Sequence, residues 1–193
     1  MTGSDLLRAV VAALDAAGIP YMLTGSVAAA CHGGGRATMD IDLVIEPTAP
    51  QLEAVVATLA GAGMYVSREA AVEALAHRSM FNVVDTGSGW KVDLIIRKAR
   101  DFSRGEFERR RPIEYEGTRL WVATVEDLII AKLEWAKVGG SARQIEDVVA
   151  LLRVTGAQVD RTYLSRWIAE LDLGAQWREA RRATDARPPG EVG

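Results

Sequence analysis

Arg36-Ala37-Thr38-Met39-Asp40-Ile41-Asp42-Leu43-Val44-Ile45-Glu46 is the stretch on which the reading of this chain turns. Its second half is dense in β-branched and apolar residues, which predicts a strand from Asp40 to Glu46. Side chains alternate along a strand, so Asp40 and Asp42 share a face with their Cα atoms roughly 6–7 Å apart. Two carboxylates at that range repel unless a cation compensates them. The neighbours Ile41, Leu43, Val44 and Ile45 mark the strand as buried, and acids on a buried strand need partners. A lone D-x-D also occurs at the solvated end of ordinary strands, so the flanking sequence has to decide.

Upstream, Pro20 opens a short strand, Tyr21 to Thr24, and Gly25-Ser26 turns it into a helix through Ala30. Thirteen residues separate Ser26 from Asp40. A helix start presents free N–H groups and the positive end of the dipole, glycine lets an anion approach closely, and serine adds a hydroxyl. Alone, the same turn is an ordinary helix cap. Downstream, Trp90-Lys91-Val92-Asp93-Leu94-Ile95-Ile96 reads as a strand with one acid embedded in an apolar run. If that strand lies beside the first acidic one, three carboxylates converge, a donor set that suits magnesium with substrate phosphates and a two-metal site.

The rest of the chain divides in two. Residues 4–17 form an amphipathic helix on Leu7, Val10, Val11 and Leu14, with Ser4 as its cap. Gly33-Gly34-Gly35 reads as a flexible loop. Thr48-x-x-Gln51 is a capping box, with Pro50 in the first turn of a helix to about Leu59. A shorter helix covers 67–77. Met80–Asp85 and Trp90–Ile96 form one hairpin, Ile113–Glu116 and Arg119–Ala123 a second around Gly117, and Phe102–Arg111 is helix or loop. From Thr124 the pattern is helical: Thr124-x-x-Asp127 and Ser141-x-x-Gln144 cap two helices, and Leu164, Trp167, Ile168 and Leu171 define another. The expected organisation is an α/β domain over 1–123, a helical subdomain over 124–183 and a disordered tail over 184–193, rich in proline and small or charged residues.

Composition narrows the class. The chain has 193 residues, 49% hydrophobic and 25% charged, with a formal charge of -3. That suits a folded, water-soluble domain with its own core and argues against a strongly electrostatic nucleic-acid binder. One cysteine, Cys31, excludes an internal disulfide and a multi-cysteine zinc site. The first helix carries Asp5, Arg8 and Asp15, unlike a signal peptide, and no apolar run reaches the roughly 20 residues of a membrane span. A cytoplasmic protein is expected.

Thr24-Gly25-Ser26, then Arg36-x-Thr38-x-Asp40-x-Asp42, then Val92-Asp93-Leu94 resemble, in order and spacing, the nucleotidyltransferase superfamily of DNA polymerase β type. Glu126-Asp127-Leu128-Ile129-Ile130-x-Lys132-Leu133, followed by Arg143-Gln144-x-x-Asp147, resembles more narrowly the AbiEii-like nucleotidyltransferases, a group that includes toxins of toxin–antitoxin pairs. The resemblance spans about residues 5–155. It implies a minimal nucleotidyltransferase fold, a mixed sheet with flanking helices, and transfer of a nucleoside monophosphate from a triphosphate to an acceptor hydroxyl. The acceptor would be a tRNA end, a protein or a small molecule, with pyrophosphate released and an antitoxin as a conceivable partner. It also implies Asp40, Asp42 and Asp93 as catalytic and Mg²⁺-binding residues, with two ions. Gly25, Ser26, Arg36, Thr38 and Lys132 would contact the nucleotide. Larger AbiEii-like proteins carry a second acid where this chain has Ala150, and a longer helical region; both departures bear on acceptor recognition and a toxin role. The alternative is a catalytically silent nucleotide- or protein-binding module of the same fold.

Lys132 also stands out by position. Val125, Leu128, Ile129, Leu133 and Ala136 form an apolar helical stripe with Lys132 at its centre, so its ammonium must snorkel outward or meet an anion. Arg143 and Asp147 fall on the polar face opposite Ile145, Val148, Val149 and Leu152, as an exposed i, i+4 pair or as site residues. His32, beside the glycine loop, reads as a loop or core residue that could alternatively touch nucleotide, His77 has no partner pattern, and Trp135, Trp167 and Trp177 read as packing. Arg109-Arg110-Arg111 reads as a solvated face that could alternatively touch an RNA acceptor.

Overall fold

The structure is a computed structural model that describes residues 1–186. Its elements run α1 (Gly3–Ala16), β1 (Tyr21–Thr24), α2 (Gly25–Cys31), β2 (Asp40–Ile45), α3 (Ala49–Gly61), β3 (Tyr65–Val66), α4 (Arg68–His77), β4 (Met80–Val84) and β5 (Lys91–Ile96). There follow α5 (Asp101–Arg109), β6 (Arg111–Tyr115), β7 (Thr118–Val122), α6 (Val125–Gly139), α7 (Ala142–Thr155), a short 3-10 turn, α8 (Arg161–Glu170) and α9 (Gly174–Asp185). The expected tail from residue 184 lies outside the described residues except for its first three positions, and Thr184 and Asp185 complete α9.

The chain folds as two compact units. The first takes Met1–Thr24 and Ala37–Ala123; the second takes Gly25–Arg36 and the chain from Thr124 onward. The segment that carries Gly25, Ser26 and Arg36 therefore folds with the C-terminal helices.

Among the described residues all seven strands belong to the first unit, in the order β3-β4-β5-β2-β1-β7-β6. The sheet is mixed: β2 runs parallel to β5 and β1 to β7, while β1–β2, β4–β5, β3–β4 and β6–β7 are antiparallel. The two-residue β3 escaped the pattern reading because it is too short to show alternation.

Register decides what each face carries. One row across four neighbouring strands reads Leu23, Leu43, Leu94 and Phe81, each at most 2% exposed. Burying such side chains stabilises by about 1.5–3 kcal/mol each, and α1 and α3 contribute Leu6, Leu14, Leu52 and Leu59 to the same unit's core. The adjacent row is one residue along every strand and so points to the opposite face. It reads Thr24, Asp42, Asp93 and Asn82. The apolar row thus locks the polar one in place, because a one-residue slip would exchange them.

Local chemistry departs from the sequence reading in several places. Thr2, not Ser4, caps α1: its hydroxyl accepts the Asp5 N–H at 3.1 Å and the Asp5 carboxylate accepts the Thr2 N–H at 3.0 Å. Gly3, the first residue of the helix, lies under the Trp90 ring, where a Cβ would come within 2.7 Å. The Gln51 side chain accepts the Thr48 N–H at 2.9 Å as expected, and its amide also donates to the Ala17 and Gly18 carbonyls at 3.1 Å, tying the start of α3 to the end of α1. Thr124 caps α6 through the Asp127 N–H at 3.4 Å. Ser141 precedes α7, but the Gln144 N–H goes to its carbonyl at 3.2 Å rather than to its hydroxyl.

In the helical unit α6 packs along α7, and α7 against α9. The glycine triplet is a close approach rather than a loose loop. A Cβ on Gly34 would stand 2.8 Å from Leu151 of α7, and one on Gly35 would stand 2.3 Å from Ala30. Trp167 is buried as expected, whereas Trp135 is 62% exposed and does not pack in a core. In the first unit Arg110 leaves the solvated face expected of it: its guanidinium lies 4.3 Å from the centre of Phe107 and 5.3 Å from that of Trp121. Burial there lowers its pKa.

Candidate active site

The three acidic residues lie on adjacent strands of one face. Asp40 and Asp42 enter on β2; Asp93 sits on β5 directly opposite Asp42, and Lys91 directly opposite Asp40. Parallel neighbours are about 4.8 Å apart, so Asp42 and Asp93 are adjacent residues on one face of the sheet. Asp93 is 7% exposed, Asp42 is half-buried and Asp40 is exposed. Thr38 prepares the entry of the strand: its hydroxyl accepts the Asp40 N–H at 3.1 Å.

Two residues that the sequence reading left aside complete this face. Asn82, opposite Asp93 on β4, donates its side-chain N–H to the Asp93 carboxylate. Lys91 places its ammonium 3.3 Å from Asp93 Oδ1 and 3.4 Å from Asp40 Oδ1. Partial burial works against that ammonium, yet the Asp93 and Asp40 carboxylates outweigh it, and its pKa is raised. Lys91 was findable, being two residues before Asp93 and so on the same face; Asn82 required the strand register.

Among the described residues, no group of three or more His, Cys, Asp or Glu side chains is gathered as a metal-ligand set. The expected three-carboxylate cluster is not closed, because Lys91 takes the place between Asp40 and Asp93. The donor chemistry nevertheless fits a hard divalent cation: the face offers carboxylate oxygens, and two of its three acids already hold one positive charge.

The other predicted residues lie in the helical unit. Gly25 adopts φ +69°, a left-handed conformation that other residues enter only with strain, as the first residue of α2. Ser26 follows it and is buried. Lys132 meets an anion, as its place on the apolar stripe requires, and that anion is Asp147: Nζ to Oδ2 is 2.6 Å, with both residues under a tenth exposed. Arg36 Nε approaches the other oxygen of Asp147 at 3.4 Å, and 40% of its side chain is exposed. Asp147 therefore does not lie on an exposed polar face with Arg143. Arg143 is exposed, while Asp147 turns inward where α6 packs along α7.

A second buried carboxylate accompanies this pair. Asp127, which the sequence marks only as part of a cap, is fully buried. It accepts the Tyr163 hydroxyl at 2.6 Å on one oxygen and the Thr124 hydroxyl at 2.6 Å on the other. Tyr163 in turn meets Trp167 edge-on, with centroids 6.3 Å apart. Sequence spacing does not reveal this link, since Tyr163 lies 36 residues away on α8.

The mixed seven-stranded sheet with flanking helices matches the α/β fold of solved nucleotidyltransferases. Solved structures share it across most of their length. The antibiotic-resistance factor ANT(2'')-Ia superimposes with a TM-score of 0.58 at 15% identity, over 95% of this chain and 97% of that one. The same factor has also been solved in complex with adenylyl-2''-tobramycin. The lincosamide antibiotic adenylyltransferase LnuA, with lincomycin bound, gives a TM-score of 0.53 at 13% identity, over 80% and 99%. An antigenic nucleotidyltransferase-like protein from Paracoccidioides brasiliensis gives 0.50 at 18%, over 89% and 91%. No protein-family model matches the sequence, and no curated relative matches it. Among the described residues no helix is long and apolar enough to cross a membrane.

Proposed function

We propose that this chain is a metal-dependent nucleotidyltransferase that moves a nucleoside monophosphate from a nucleoside triphosphate to an acceptor hydroxyl. The observation that carries the reading is the register that sets Asp42 beside Asp93, with Asp40 on the same face. Asp40, Asp42 and Asp93 are the residues that would hold Mg²⁺, one ion or two. Bound there, the metal supplies charge stabilisation for phosphate oxygens. Asp93, buried and fixed by Asn82, accepts the proton of the acceptor hydroxyl as its oxygen bonds to the α-phosphorus. The bond from that phosphorus to the bridging oxygen breaks, and pyrophosphate leaves.

Thr38 fixes the backbone at Asp40. Gly25 and Ser26 are assigned to phosphate oxygens through backbone N–H and hydroxyl donors. Arg36 is the cation assigned to the triphosphate. Lys132 serves it indirectly, by holding the Asp147 carboxylate that Arg36 also meets. The lincomycin-bound LnuA and the tobramycin adduct of ANT(2'')-Ia favour a small-molecule hydroxyl as acceptor over a tRNA end or a protein. The AbiEii-like pattern at Glu126–Leu133 and Arg143–Asp147 adds a toxin role, held in check by an antitoxin, as the biological setting to examine. Lys91 between Asp40 and Asp93 also suits the second reading, a silent module of the same fold.

The test incubates the protein with each labelled triphosphate, Mg²⁺, and separate pools of aminoglycosides, lincosamides, total tRNA and cell extract. Label should pass to one pool with Asp42 intact and be lost in Asp42→Asn, whose circular dichroism should match the wild type. Transfer undiminished in Asp42→Asn would sink the assignment. Calorimetry showing no triphosphate binding with Mg²⁺ would favour the silent module.

A further inference from the structure

On the reading that the acidic face binds a divalent cation, we infer that Lys91 is its resident counter-ion, which holds Asp40 and Asp93 before the cation arrives and competes with it for the site.

The argument begins with geometry. Lys91 faces Asp40 across the β2–β5 pair and lies two residues before Asp93 on its own strand. Its ammonium reaches both carboxylates, at 3.4 and 3.3 Å, and so bridges the two strands. Three acids on neighbouring strands of one face repel one another, and that repulsion falls on the central pair of the sheet. A single ammonium relieves much of it and lets the strands keep register without bound metal. The bridge is built to be released. The Lys91 side chain is 34% exposed and that of Asp40 is 59% exposed, so the flexible four-carbon stem can withdraw its own charge into water, and the buried Asp93 carboxylate is then compensated by the arriving cation. Asp93 keeps the Asn82 hydrogen bond when Lys91 leaves.

This differs from the pairing in the helical unit, where Lys132 and Asp147 are both under a tenth exposed and cannot separate cheaply. Lys91 is thus exchangeable and Lys132 is fixed. An exchangeable ammonium sets a threshold: the site fills only when the divalent cation, alone or with triphosphate, outcompetes it.

Removing the ammonium should therefore strengthen cation binding while weakening the cation-free fold. The experiment titrates Mn²⁺ into wild type, Lys91→Met and Lys91→Arg, following free Mn²⁺ by its paramagnetic resonance signal, with melting temperatures measured in chelator and in excess Mn²⁺. Lys91→Met should bind Mn²⁺ about tenfold tighter, the residue of a charge repulsion moderated by solvent. It should melt below wild type in chelator and recover most of that loss in Mn²⁺. Lys91→Arg, which keeps the charge, should stay within about threefold of wild-type affinity. If wild type binds Mn²⁺ and Lys91→Met binds no tighter, Lys91 is not a competitor and the inference fails while the metal-site reading stands. If none of the three proteins binds Mn²⁺, the metal-site reading itself fails and this inference falls with it.

Discussion

Replacing Lys132 with methionine tests the helical unit at its most sensitive contact. The substitution nearly preserves volume and apolar stem, so its effect is the loss of one charge. That charge faces Asp147 at 2.6 Å, with both residues under a tenth exposed. Breaking a buried pair from one side costs about 3–5 kcal/mol, because the remaining ion is left uncompensated. Arg36 still approaches Asp147 at 3.4 Å, but its side chain is 40% exposed, so solvent screens part of that help. The expected loss is therefore near the lower end, about 3 kcal/mol. Lys132→Met combined with Asp147→Leu removes both charges and should return to within about 1 kcal/mol of wild type. The assay is urea unfolding followed by far-ultraviolet circular dichroism and by tryptophan fluorescence. Trp135, Trp167 and Trp177 report the helical unit, and Trp90 and Trp121 the α/β unit, so separate transitions would be visible. A Lys132→Met loss under about 1 kcal/mol, or a double variant no better than the single, would refute the buried-pair argument. Loss of triphosphate binding with unchanged stability would instead return Lys132 to direct phosphate contact.

Two further outcomes follow from single contacts. Tyr163→Phe removes the hydroxyl that Asp127 accepts at 2.6 Å and should cost about 1.5–3 kcal/mol, measured by the same urea transitions; a loss below about 0.5 kcal/mol would show that the fully buried Asp127 does not depend on it. The Glu46 carboxyl is held below its ordinary value of 4.5, chiefly by the Arg97 hydrogen bond. A lowered folded pKa gives stability that is present above the unfolded pKa and is lost as pH falls through the folded one. Glu46→Gln should therefore flatten the decline of wild-type stability below about pH 4.5, by no more than about 1 kcal/mol since the pair is partly solvated. An unchanged acid limb would show that the pair contributes nothing there.

The sequence revealed most where chemistry and periodicity coincide. Asp40, Asp42 and Asp93 stand out because a strand of apolar residues has no ordinary use for acids, and alternation alone puts the first two on one face. Gly25 was legible as a turn residue and takes the positive φ that the turn demands. Lys132 was legible as a charge misplaced on an apolar stripe; its partner was not. Asp147 looked exposed on a helical wheel because a wheel knows only one helix, and the side of α7 that faces α6 is decided by packing. The glycine triplet misled for the same reason. Glycine serves equally for mobility and for close approach, and only the position of Leu151 and Ala30 distinguishes them.

What remained hidden is pairwise across strands. Asn82 belongs to the candidate site only because β4 flanks β5 in a fixed register, giving the row Thr24, Asp42, Asp93, Asn82. The apolar row Leu23, Leu43, Leu94, Phe81 holds that register from the other face. Core packing and site geometry are thus one constraint on this sheet: a change that lets one strand slip would bury the acids and expose the leucines together. Lys91 belongs to the same arithmetic. It lies opposite Asp40 for the same reason that Asp93 lies opposite Asp42, so the register that gathers the negative charge also delivers the positive charge that balances it.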